Sequence, residues 1–199
     1  MKATAAATLI TAALAACALT APAQAGEAPL SRDALLAIAA SEQAWCSEWR
    51  PSDGSCADIG FMESLPDGRL RQTYRFRLTS EPDLEVVMQE TVALEDGGVC
   101  SVFRFDALDV VVLMDGRPAP MEQALGISLL IQSSMSEFEG KKTCERYTRD
   151  DETGEVRATV TLDGERAPTL DSTYRLIPLD TRVHLRPVDE GPDMEAQTT

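Results

Sequence analysis

Short glycine turns cut this chain into strand-length pieces. Asp67-Gly68, Asp96-Gly97-Gly98, Asp115-Gly116, Thr153-Gly154 and Asp163-Gly164 recur through it, and such pairs favour tight reversals because Asp tolerates and Gly prefers positive φ. The segments between them alternate in polarity. From Arg69 to Thr79 the positions Leu70, Tyr74, Phe76 and Leu78 are apolar, and Arg69, Arg71, Thr73, Arg75 and Arg77 lie between them, which is the period-two pattern of a half-buried strand. Residues 56–64, 84–94, 99–105, 108–114, 144–149, 155–162, 173–179 and 182–187 are the other strand candidates. Their connections are too short for parallel crossovers, so the pattern predicts antiparallel meanders and disfavours a doubly wound nucleotide-binding fold.

Two segments carry helical signals. Ser31 is placed to cap a helix with Asp33 in its first turn, and Leu35, Ile38, Ala39, Trp45 and Trp49 read as its apolar positions, so the first helix is predicted to continue through both tryptophans, which would pack against a sheet and a disulfide. The second is predicted over 121–139, with apolar residues on more than one stripe and Gly140 as its cap, and is expected to be largely buried. The fold class is therefore α+β: antiparallel β-meander sheet or sheets with two main α-helices. One constant shift lays Gly68 on Gly154, Arg71 on Arg157, Thr73 on Thr159 and Pro82 on Pro168, which raises a duplicated α-plus-four-strand unit with halves 31–114 and 117–188 against coincidence.

Residues 1–25 read as an export leader. Lys2 precedes an uncharged, alanine-rich run, and Ala23-Gln24-Ala25 fits a small-residue cleavage site. A competing reading takes Leu14-Ala15-Ala16-Cys17 as a lipobox, with residues 1–16 removed and Cys17 acylated. The run is shorter than the ~20 apolar residues that a spanning helix needs. Residues 26–188 then form one α+β domain, and 189–199 an acidic, apolar-poor tail expected to be disordered.

Either processing leaves Cys46, Cys56, Cys100 and Cys144. An even number of cysteines in an oxidising compartment predicts two disulfides, and ring size favours Cys46 with Cys56, leaving Cys100 for Cys144. A thiolate metal site is disfavoured because the chain has no C-x-x-C and a single histidine, His184. The expected location is the periplasm or the exterior, lipid-anchored in the envelope only if Cys17 is acylated.

The net charge of −15 excludes nonspecific nucleic-acid binding and electrostatic docking on anionic lipid. The chain is not a disordered acid, since 44% of it is hydrophobic. It carries no G-x-S-x-G, P-loop, G-x-G-x-x-G or H-E-x-x-H pattern, and no cofactor is expected. The polar feature that departs from its surroundings is the stripe Arg69, Arg71, Arg75 and Arg77. Cross-strand pairing with Glu85, Gln89 and Glu95 explains it without a ligand. The sharper reading makes Arg71, Arg75 and Arg77 a site for a partner protein or small anionic ligand. The leading functional expectation is an exported, non-catalytic binding protein, against a hydrolase using a carboxylate pair, which a raised carboxyl pKa in an apolar cleft would favour, and an inhibitor or immunity-type protein for a basic enzyme.

Overall fold

The computed structural model describes residues 28–95, 98–179 and 181–188. The expected leader, Cys17, the Asp96-Gly97 turn, Asp180 and the acidic tail lie outside the described residues. In chain order the elements are β1 (Ala28–Pro29), α1 (Arg32–Ala39), β2 (Gln43–Ser47), β3 (Ser55–Cys56), β4 (Asp58–Ser64), β5 (Leu70–Thr79), β6 (Leu84–Glu95) and β7 (Gly98–Val102). They continue with β8 (Asp109–Met114), β9 (Arg117–Pro118), α2 (Met121–Ser134), β10 (Lys142–Arg149), β11 (Glu155–Leu162), β12 (Glu165–Arg166), β13 (Ser172–Pro178) and β14 (His184–Leu185). The α+β class and the antiparallel meanders expected from the turn spacing are both present.

The meanders close on themselves. Strands β4, β5, β6 and β7 pair in succession, β7 pairs β10, β10 and β11 lead to β13, and β2 joins β13 back to β4, every pairing antiparallel. The result is an eight-stranded barrel, which satisfies the edge hydrogen bonds that an open sheet would leave exposed. Beyond the ring, the first half of β6 also pairs β8, and β9 returns along β8 through Asp115-Gly116. That turn has positive φ at both residues, 51° and 73°, as a two-residue hairpin of the favoured twist demands.

Two seams of the ring have no hairpin, β7 with β10 and β13 with β2. Cysteines lie at both. Cys100 stands opposite Cys144 in the register of β7 and β10, and the two form a disulfide. Cys46, in β2 opposite Arg175 of β13, is bonded to Cys56 just before β4. Both bridges follow the pairing that ring size favoured, and they point to folding outside a reducing cytoplasm.

One end of the barrel is stopped by α1. Ser31 caps it, its hydroxyl accepting from Ala34 N–H at 3.2 Å, and Leu35 and Ile38 pack on inward residues Leu70, Val92, Val99, Tyr147 and Val156. The helix ends at Ala39, ten residues short of Trp49, with Ser41 and Glu42 making the turn into β2. Trp45 is therefore on a strand, 3% exposed, with Tyr147 and Tyr174 against it at ring separations of 5.0 and 5.8 Å. Tertiary pairing of 43–47 with two strands overrides the helical spacing.

The second helix is shorter than predicted and mostly uncovered. Ile131 is its buried residue, packed with Val86 and Val112 on the inward side of the β5–β6–β8 extension, while Met121, Leu125, Leu129 and Leu130 are exposed. A short 3-10 turn, Ser136–Phe138, follows it. Residues 183–188 run along the outer wall, where Leu185 joins Cys46, Cys56, Ile59 and Ile177. The shift that superposes Gly68 on Gly154 matches the β4–β5 turn to the β10–β11 turn, but carries β2 onto residues within α2. No helix among the described residues is long and apolar enough to cross a membrane.

Candidate functional site

The period-two pattern decides which side chains enter the barrel. On β5 these are Leu70, Gln72 and Tyr74; on β6, Met88, Glu90 and Val92; on β10, Thr143, Glu145 and Tyr147. The half of the lumen against α1 is apolar. Above it the lumen turns polar and opens into a cavity of about 230 Å³. All three tyrosines of the chain, Tyr74, Tyr147 and Tyr174, point into this interior.

Glu90 and Glu145 line the cavity together with Gln72, Tyr74, Ser101 and Thr143, and the remaining walls are apolar. Their strands flank β7, which puts the two strand axes ~10 Å apart, and the inward side chains converge from there. Ser101 Oγ donates to Glu90 at 3.1 Å. Tyr147 Oη donates to Glu145, and Gln72 Nε2 donates to Tyr147 Oη at 3.5 Å. Among the described residues, no Lys, Arg or His lines the cavity.

This arrangement moves proton affinities upward. Burial raises the Glu145 carboxyl above its ordinary range, the Tyr147 hydrogen bond opposes that, and the negative charges of Glu90 and Asp58 add to it. Burial also raises Glu90, against the Ser101 hydrogen bond. Asp58, on the neighbouring wall, is raised by burial although Ser47 donates to it. Tyr74 and Tyr147 are held well above the ordinary phenol value, chiefly by burial. Beneath the cavity, Trp45, Gln72, Tyr74, Tyr147 and Tyr174 enclose a void of about 10 Å³, close to the size of one water, and Trp45 Nε1 has no hydrogen-bond partner among the described residues.

A groove of about 490 Å³ beside Glu48, Asp58, Phe76 and Arg186 shares Tyr74 and Met88 with the cavity and opens more widely. Met135 and Phe138, from the end of α2 and the turn after it, stand at the cavity's rim with Phe103 and Leu108.

The arginine stripe is on the outer wall, away from this interior. Arg69 pairs with Asp67 at 2.7 Å, Arg71 with Glu63 at 3.2 Å, Arg75 with Glu85 at 2.5 Å and Arg77 with Asp83 at 2.9 Å. Glu85 is the one carboxylate of this set that the strand alternation named. Gln89 instead donates to Thr73, and Glu95 holds Lys142. Among the described residues, the group with metal-ligand proximity is Glu95, Cys100 and Cys144, and both sulfurs are committed to the disulfide. His184 is exposed in β14 on the outer wall.

Glu90 and Glu145 were not singled out as a site by sequence. Glu90 sits at the inward register of β6, between Met88 and Val92. The available signal was a carboxylate at a position whose same-face neighbours, Val86, Met88 and Val92, are apolar. No known protein family matches the chain, and no match was found among curated proteins or solved structures.

Proposed function

We propose that this is an exported, non-catalytic protein that binds a small molecule inside its barrel. The observation that carries the reading is the lumen itself, a cavity of about 230 Å³ with a few polar groups set in apolar walls. Eight-stranded barrels have an interior wide enough to hold one small ligand, and small-molecule sites are concave, mostly apolar and furnished with few polar groups. At this volume the cavity is at the small end of the ~300–1,000 Å³ typical of such sites. The outer arginines are already matched by carboxylates, which is why the reading moves inward. Export rests on the leader pattern, with the two disulfides in keeping with it; periplasm is the expected compartment, and Cys17 would tether the protein to the envelope if acylated.

Trp45 supplies the test. Its indole lines the small void that shares Gln72 and Tyr74 with the cavity, so occupancy that shifts these side chains should change its emission. The mature protein, disulfides intact, is titrated with a panel of small neutral, cationic and anionic organic molecules, with tryptophan emission and thermal unfolding read together. Saturable emission changes that also raise the melting temperature support the reading. A panel without any such member sinks it.

Acid–base hydrolysis by Glu90 and Glu145 is the second reading. In its favour, two carboxyls with raised proton affinity share one largely apolar cavity, the environment that holds a general acid protonated. Binding leads because the barrel can hold a ligand with the groups present, whereas hydrolysis also needs a scissile bond placed between the carboxyls and an exit for two products. Turnover of a chromogenic glycoside or ester that is lost in both Glu90→Gln and Glu145→Gln would reverse that order.

A further inference from the structure

We propose that the ligand of the barrel cavity is a small organic cation, an ammonium compound with an apolar body, held between Glu90 and Glu145. The proposal rests on the cavity-binding reading above and names the chemistry of its occupant.

The lining is one-sided in charge. Two carboxylates enter the cavity from β6 and β10, and no basic side chain balances them there. Elsewhere in the described structure, carboxylates such as Glu63, Glu85 and Asp171 have guanidinium partners. The recorded partners of Glu90 and Glu145 are hydroxyls, those of Ser101 and Tyr147. An uncompensated carboxylate in an apolar enclosure is costly, and an ammonium group entering between the two relieves that cost while making charge-assisted hydrogen bonds.

The other polar wall fits the same occupant. Gln72 is 3% exposed and lines the cavity, and its one recorded hydrogen bond is donated by Nε2. Its carbonyl oxygen accepts nothing from the described residues, so it offers an acceptor to an N–H of the ligand. Tyr74, Phe103 and Phe138 present aromatic rings around the same space, and ring faces attract ammonium groups. Val99, Val160 and Leu162 leave the rest of the wall to a hydrocarbon body. An anion would meet two like charges here, and a neutral molecule would leave both uncompensated.

The test compares phenethylamine and isoamylamine with their uncharged isosteres, phenylethanol and isoamyl alcohol, by calorimetry on the mature, disulfide-bonded protein at neutral pH. The cations should bind roughly tenfold or more tightly than their isosteres, the usual worth of a charged hydrogen bond. Glu90→Gln and Glu145→Gln should each erase most of that preference, leaving the isosteres unaffected. If the isosteres or small carboxylates bind as well as the amines, the charge assignment is overturned and the cavity reading stands. If no organic molecule binds, both fall; if only calcium or magnesium binds, the organic-cation assignment falls. Should either variant fail to fold, the wild-type comparison of cation with isostere decides the matter alone.

Discussion

Cys100 and Cys144 face each other across β7 and β10, a seam of the barrel that no hairpin joins. A turn brings hairpin partners together at little entropic cost, but β7 and β10 are separated by β8, β9, α2 and the 3-10 turn that follows it. The bridge constrains the unfolded chain over that interval. With the two cysteines separated by 44 positions in sequence, the chain-entropy model gives about 4 kcal/mol, against about 3 kcal/mol for the separation of 10 between Cys46 and Cys56. Replacing Cys100 and Cys144 together by serine should therefore lower stability more than replacing Cys46 and Cys56. Urea unfolding of the two double variants checks the order; equal losses, or the reverse order, would show that local packing outweighs loop closure.

The outer arginines make a contrasting, weak case. Arg75 bridges Glu85 at 2.5 Å, but its side chain is 41% exposed, so water and salt screen the pair. Arg71 is more exposed still, as is its partner Glu63. Arg71→Gln and Arg75→Gln should each cost less than about 1 kcal/mol, with a smaller cost at high salt. Neither should change titrations of the lumen. A binding loss in a variant that remains stable would return the site to the outer wall.

What could be read from the sequence was local. Asp115-Gly116 and Asp163-Gly164 have the positive φ values that their residue types anticipate, Ser31 caps α1, and the strand alternation of Arg69 to Thr79 assigns the correct residues to each face. Trp45 was misplaced because its spacing from Ile38 suits a helix, and only pairing of β2 with both β4 and β13 makes it a strand residue. Those pairings are distant in sequence. Ring closure is equally non-local, and Glu90 and Glu145 become neighbours of one cavity only once the ring is closed. Glu90 interrupts the apolar series Val86, Met88 and Val92, but that series reads alike whether its face lines a lumen or packs on a second layer.

Adjacent residues of α2 give a direct measure of which side of that helix matters to the fold. Ile131 is 9% exposed and packs on Val86 and Val112, whereas Leu130 is 66% exposed. Ile131→Ala removes buried methyl groups and should cost about 2–5 kcal/mol. Leu130→Lys removes no packing seen in the fold and should stay within about 0.5 kcal/mol. Thermal unfolding of the two variants checks the contrast, and a large loss for Leu130→Lys would mean that the outer face of α2 is covered in solution.

The pH dependence of stability tests the acidic lumen without any ligand. Burial raises the Glu145 carboxyl above its ordinary 4.5, so the folded protein keeps a proton that the unfolded chain has released. The stability linked to that proton is fully present below the unfolded value and is lost as pH rises through the folded one. Glu145→Gln removes this loss, while its carbonyl can still accept from Tyr147. The groups facing Glu145 are Glu90 of β6, Asp58 of β4, Tyr74 of β5 and Tyr174 of β13, besides its hydrogen-bond donor Tyr147. Surface carboxyls held below their ordinary value, Asp67, Asp106 and Asp171 among them, act in the opposite direction, stabilising the fold until pH falls through their folded values. They are common to both proteins and cancel in the difference. The variant should thus gain on the wild type as pH rises from about 4.5 toward neutrality, and the two should converge in acid. Parallel profiles in urea, or a variant less stable at neutral pH, would mean that Glu145 is compensated in the folded protein and carries no unmet charge for a ligand to satisfy.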